Sequence, residues 1–368
     1  MTQAKDLYNA SFAAYNDGTI ADNRIAARIT VIEQTIESLM SSINLYKDFA
    51  AAIANLKTAI DGMEGKKLAA ATLTAANQLY TTAETAYNEG TIDDDQVAAQ
   101  VTSLNSMITT LNASVAAYAN LKTAIDALDA VKTAKAAKAV LDDAAALVAA
   151  TTTAYNEGSL ADANVSAKIT ELENKLAEVN ASAEKYAAYA TAIANLKTAI
   201  EGVNNKKLSS ATRTAALTLS NTLDAAYAAG TMTDEQAEEA TDMITTLESS
   251  VATYATLKTA LDDLQAKITE AENKKVKADL LSEAKTLQES ESGKYNEGSL
   301  ADSDVPASVE AISNMISKLQ EAIDSTPTRI NGVSTANDTD TTYTMGGRKV
   351  VGKQKGLVIR NGRKVVVK

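Results

Sequence analysis

An eight-residue signature returns five times in this chain: Tyr, two residues, Gly, Ser or Thr, two residues, Asp. Its copies are Tyr15, Gly18, Thr19 and Asp22; Tyr87, Gly90, Thr91 and Asp94; Tyr155, Gly158, Ser159 and Asp162; Tyr227, Gly230, Thr231 and Asp234; and Tyr295, Gly298, Ser299 and Asp302. Successive glycines lie 72, 68, 72 and 68 residues apart. A fixed period of this size marks a repeat array. Arrays of small helical units present surface or length rather than a catalytic pocket, so the signature constrains function as well as fold.

Each residue type in the signature has a physical reason to be there. Gly follows a helical pattern and suits the left-handed residue that ends a helix, because it has no Cβ to clash. The Ser or Thr after it is placed to accept a hydrogen bond from the free amides of the next helix. The Asp three residues on resembles a capping-box partner and sits at the positive end of the helix dipole. Each copy therefore reads as a tight turn between two antiparallel helices. The acids around Gly90 suggest a calcium loop, but Thr85 and Tyr87 fall on its first and third ligand positions when Gly90 is sixth.

The 368 residues include no Cys, no His and no Trp, and only two Pro. That usage favours helix. It removes the thiol nucleophile, the imidazole base, the usual zinc site and the Ser-His-Asp triad. Carboxylate-only catalysis needs a cleft that holds two acids apart, which slim helical bundles rarely provide, so no enzyme and no cofactor is expected. The net charge is −12, yet residues from Tyr343 onward hold eight Lys or Arg and no acid, leaving −20 on residues 1–342. An acidic body of this kind repels nucleic acid and anionic membrane. No apolar run approaches a bilayer span, so no membrane insertion is expected.

Long heptad stripes follow the turns. Ile25, Ile29, Ile32, Ile36, Leu39, Ile43 and Tyr46 step by 4 and 3, and Val97 to Tyr118 and Val165 to Tyr186 repeat the pattern. All three stripes read as the core seam of helical bundles. They run without Gly or Pro into a second phrase, Asn55-Leu-Lys-Thr-Ala-Ile60, which returns at Asn120, Asn195 and Thr256. The third helix of one unit is thus expected to continue as the first helix of the next. Turns are expected at Gly62–Lys67, at Gly202–Lys207, near Val131–Lys135 and near Asn273–Lys275. Pro306 delays the last third helix to about Asp304, since Pro is tolerated only in a first turn. Alternating linker lengths point to duplication of a pair of units, about 140 residues together.

The expected fold class is all-α: tandem antiparallel three-helix bundles, a spectrin-like rod, with a small C-terminal β-hairpin or meander. Residues 1–43 form a partial repeat, since Leu7-Tyr8 aligns with Leu79-Tyr80 and nothing precedes it. Residues 44–113, 114–181, 182–253 and 254–324 form full repeats. The opening Met1-Thr-Gln-Ala-Lys lacks the basic and apolar regions of a secretory signal, and the chain is expected to be a fragment that has lost its true N-terminus. The Leu-Lys-Thr-Ala-Ile phrase, the Tyr-x-x-Gly turn and the heptad third helix resemble FIVAR-type repeats of bacterial surface proteins and, more loosely, spectrin units. The resemblance implies an exposed region acting as a stalk or binding a host or matrix protein or glycan.

Residues 325–342 are polar and read as a linker. Beyond them come Tyr343, Gly347 with Arg-Lys-Val, Gly356 with Leu-Val-Ile, Asn361-Gly362 and the terminal Val-Val-Val-Lys368. Asn-Gly between apolar runs is a strong hairpin signal, and three or four short strands are expected in 343–368. This segment resembles the type IX secretion sorting tails of Bacteroidetes proteins, which implies the secretion machinery as a partner. The expectation is a non-enzymatic secreted or outer-surface stalk or adhesin. The alternative is the C-terminal spacer of a larger secreted enzyme, whose catalytic domain upstream gene sequence would reveal.

Overall fold

The computed structural model describes residues 2–326, 342–344, 348–350, 355–360 and 363–367. Ten helices and three strands occur among them. Short and long helices alternate: α1 Thr2–Asn16, α2 Asp22–Asp61, α3 Ala70–Glu89, α4 Asp94–Val131, α5 Lys138–Glu157, α6 Asp162–Gly202, α7 Ser210–Ala229, α8 Asp234–Asn273, α9 Ala278–Glu297 and α10 Val305–Ser325. The third-helix stripe and the Leu-Lys-Thr-Ala phrase do lie on one unbroken helix. α2 and α8 have 40 residues each, about 60 Å at 1.5 Å per residue.

The chain divides into two compact units, Met1–Asn205 with Arg213–Glu248, and Lys206–Thr212 with Ser249–Lys368. In the first, one core joins Phe49, Ile53 and Leu56 of α2 to Ala76 and Ala83 of α3 and Val97, Leu104 and Leu111 of α4. Another joins Tyr118, Leu121, Ile125 and Leu128 of α4 to Ala144 and Val148 of α5 and Val165, Leu172 and Val179 of α6. The second unit repeats the arrangement with Tyr254, Leu257 and Leu264 of α8, Ala284 of α9, and Ile312 and Leu319 of α10. Small alanines on the short helices let the two long-helix segments approach across them. One long helix thus serves two cores in succession, its first half as third helix and its second half as first.

The stripe on α2 departs from expectation. Ile25, Ile29, Ile36 and Ile43 are exposed, whereas Val97, its counterpart one repeat on, is 0% accessible. Heptad spacing records which face is apolar, and among the described residues no third helix covers this one. The Pro306 expectation holds: α10 is capped at Asp304 with Pro in its first turn. The turn expected at Gly202–Lys207 is present: α6 ends at Gly202 and the chain turns directly after it, before α7 starts at Ser210. The loop after α8 places Lys275 at φ 59°, a conformation that suits Gly better.

The tail forms an antiparallel sheet of β1 Thr342–Thr344, β2 Gly356–Arg360 and β3 Arg363–Val367, in that order. Val358 pairs with Val365 and Arg360 with Arg363, so two residues, 361 and 362, connect β2 to β3. Most of the expected linker, 327–341, lies outside the described residues.

Candidate functional site

The five signatures fold alike at their glycines. Gly18, Gly90, Gly158, Gly230 and Gly298 all have φ between 60° and 73°. At Gly90 the Thr91 amide donates to the Ala86 carbonyl at 3.1 Å and the Gly90 amide to Tyr87 at 3.3 Å, the paired bonds of a Schellman ending. The following hydroxyl does not cap the next helix. Thr19, Ser159, Thr231 and Ser299 donate backwards, to the carbonyls of Ala14, Ala154, Ala226 and Lys294. Each of these carbonyls also accepts the backbone amide of the same Ser or Thr, so amide and hydroxyl share one acceptor in the Schellman ending.

The aspartates are the first residues of α2, α4, α6 and α8, where the dipole favours them. The carboxylates of Asp94, Asp162 and Asp234 nevertheless reach across to other helices instead of closing a capping box. Asp94 accepts from Ser42 Oγ at 2.8 Å. Asp162 accepts from Ser114 Oγ at 2.5 Å and Thr72 Oγ1 at 2.6 Å, so one carboxylate ties α6 to α4 and α3. Asp302 repeats this with Ser250 and Thr212, each at 2.6 Å. Among the signatures the reciprocal capping box occurs in the fourth copy, between Thr233 and Gln236. Ala21 and Ala161 stand at the N-cap in the first and third, and Asp93 in the second makes no side-chain cap bond.

A second group on the long helix grips the same turn. Tyr46, Tyr118, Tyr186 and Tyr254 lie four residues after Ser42, Ser114, Ser182 and Ser250, one turn further along the same face. The Tyr118 hydroxyl donates to the Leu160 carbonyl at 2.6 Å, Tyr254 to Leu300 at 2.7 Å, and Tyr46 to Ile92. Tyr186 reverses the sense and accepts from the Met232 amide at 3.1 Å. Each ring also packs on a signature tyrosine, with centroids 5.8 Å apart for Tyr118 and Tyr155, 5.6 Å for Tyr186 and Tyr227, 6.0 Å for Tyr254 and Tyr295, and 6.5 Å for Tyr46 and Tyr87. Burial raises the pKa of the Tyr118 and Tyr254 phenols, and the neighbouring Asp162 and Asp302 charges add to it. The Ser-x-x-x-Tyr pair thus reads the Tyr-x-x-Gly-Ser/Thr-x-x-Asp turn from α2, α4 and α8. In α6, by contrast, Ser182 accepts from the Ala137 amide at 2.9 Å, and Asp234 is held by Lys185 and Tyr189. The pair is present in all four long helices and was not singled out in the sequence, although its recurrence was open to view.

Three turns are also docked by an earlier interhelical loop. The Ala70 amide donates to the Gly158 carbonyl at 2.8 Å, Lys138 to Gly230 at 2.8 Å, and Ser210 to Gly298 at 2.7 Å. Lys67, Lys135 and Lys207 add their ammonium groups to the carbonyls of Asn156, Ala228 and Asn296, the negative ends of α5, α7 and α9. The approach is close. A Cβ on Gly158 would lie 2.7 Å from the Leu68 carbonyl oxygen, whereas one on Gly90 would meet nothing within 4 Å.

The fourth turn has its own electrostatics. Asp234 accepts from Lys185 Nζ and Tyr189 hydroxyl, both at 2.5 Å. The Lys185 bond, then the Tyr189 bond, lowers the Asp234 pKa. Burial first and the Asp234 bond second push the Tyr189 phenol up to about 12. Among the described residues no group of three or more acids is placed to bind a metal ion, and no helix is long and apolar enough to cross a membrane.

In the tail, Tyr343 lies on β1 opposite Ile359 and is exposed, and Gly356 opens β2 with φ 127°. Gly347, Asn361, Gly362 and Lys368 lie outside the described residues. Leu357, Val365, Val366 and Val367 are exposed on the strands, while Val358 is buried. No protein-family model matches this chain, and no match is found among curated proteins or solved structures.

Proposed function

We propose that this chain is a non-enzymatic structural array, secreted or displayed at the outer cell surface, that serves as a stalk or presents helix faces to a host or matrix protein or glycan. One observation carries the reading: the polar groups that recur in the second to fifth signatures are occupied by groups of neighbouring helices. Ser114 and Thr72 hold Asp162, Tyr118 holds the Leu160 carbonyl, and Ala70 holds Gly158. Such groups serve cohesion between successive helices, and what remains outward is an acidic helical surface suited to spacing or to contact across repeats. The C-terminal sheet, basic and with apolar side chains outward, is read as an export signal for a type IX-like secretion system.

Removing residues 343–368 tests this. Helix content and melting of the array are expected to stay unchanged, while the protein disappears from the surface of a host that carries the secretion system. Continued surface display without the tail, or loss of array stability with it, would overturn the sorting role.

A further inference from the structure

The turn between α1 and α2 has the same signature as the others, but among the described residues no long helix grips it. Tyr15 is 76% exposed, where the equivalent tyrosines at 155, 227 and 295 pack on Tyr118, Tyr186 and Tyr254. No hydrogen bond from the described residues reaches the Asp22 carboxylate or the Ile20 carbonyl. The equivalents of these two acceptors, Asp162 with Leu160 and Asp302 with Leu300, are held by Ser114 with Tyr118 and by Ser250 with Tyr254. Between the helices runs an open groove of about 410 Å³ lined by Leu7, Tyr8, Phe12, Tyr15, Ile36 and Leu39. Exposed apolar surface of this kind marks an interaction site.

We propose that this groove docks an amphipathic helix that carries Ser-x-x-x-Tyr followed by an apolar stripe, the chemistry of the array's own long helices. The filled grooves of the same molecule define the occupant. Its tyrosine stacks on Tyr15 and donates to the Ile20 carbonyl, its serine donates to Asp22, and its apolar stripe covers Ile36 and Leu39. A second copy of this chain cannot supply the helix from its four long helices without giving up their own turns, since each is already engaged. The partner is therefore a repeat of this type whose first helix is free to dock.

The probe is a synthetic peptide of residues 111–131, which contains Ser114, Tyr118 and the stripe Leu121, Ile125 and Leu128. Titrated into the full chain, it is expected to saturate at one peptide per chain and to shift the resonances of Tyr15 and Asp22. Ser114→Ala or Tyr118→Ala in the peptide, or Asp22→Asn in the chain, is expected to weaken binding roughly tenfold. Absence of saturable binding overturns the proposal, as does binding indifferent to all three changes. So does self-association of the chain that Ile36→Lys abolishes, because a second copy would then be the occupant.

Discussion

Gly158→Ala is expected to destabilise its unit by about 3 kcal/mol or more, against about 1 kcal/mol for Gly90→Ala. Both positions demand positive φ, at 66° and 61°, so both substitutions carry the left-handed cost. Only Gly158 adds a collision, with a Cβ 2.7 Å from the Leu68 oxygen and 3.1 Å from the Ala70 nitrogen. Relief requires the loop to withdraw, which breaks the Ala70 bond to the Gly158 carbonyl. Gly298→Ala is expected to behave as Gly158→Ala does, since its Cβ would lie 2.7 Å from the Leu208 oxygen. Urea denaturation of the variants measures the difference. Equal costs at positions 90 and 158 would mean that the loop does not dock on the turn.

Tyr118→Ala is expected to cost about 3–5 kcal/mol, the usual range for an aromatic ring lost from a core. Tyr118 is fully buried, packs on Tyr155 and closes the turn through Leu160. Tyr118→Phe keeps the ring and removes only the hydroxyl, for about 1 kcal/mol. Tyr15→Ala, at a site of the same sequence pattern, is expected to change stability by less than about 0.5 kcal/mol, because Tyr15 is exposed. Thermal melts of the three variants separate these values. Comparable losses at Tyr15 and Tyr118 would show that a helix covers the first groove within this chain.

Much of this architecture was legible because it repeats. Five glycines at fixed spacing announced the turns, and stripes running unbroken into Leu-Lys-Thr-Ala announced continuous long helices. Pro306 announced a delayed start for α10, which begins at Val305. The state of Ile25, Ile29 and Ile36 was not legible, since periodicity identifies an apolar face and says nothing of whether a neighbour covers it. The partners of Asp162 were hidden differently. Thr72 lies 90 residues upstream and Ser114 lies 48, and such pairings follow from bundle geometry rather than local spacing. The Ser159 hydroxyl bonds to the Ala154 carbonyl, which its own amide already holds, rather than to α6, and the residue type alone does not set that direction.

Duplication of a pair of units leaves a trace in these ties. Thr72 and Asp162 recur as Thr212 and Asp302, 140 residues on, whereas Ser114 recurs 136 residues on as Ser250. The shortfall of four is about one helical turn, so Ser250 still faces its carboxylate. Selection for facing rather than for number is what an interhelical tie requires.

The tie itself is open to a direct measurement, a double-mutant cycle on Ser114 and Asp162. Ser114→Ala, Asp162→Ala and the double variant are unfolded in urea and their stabilities compared. A hydrogen bond from hydroxyl to carboxylate between α4 and α6 is expected to give a coupling energy of about 1 kcal/mol or more. If Asp162 acted only on the dipole of its own helix, the two losses would add to within about 0.3–0.5 kcal/mol, and the clamp on the turn would be contradicted.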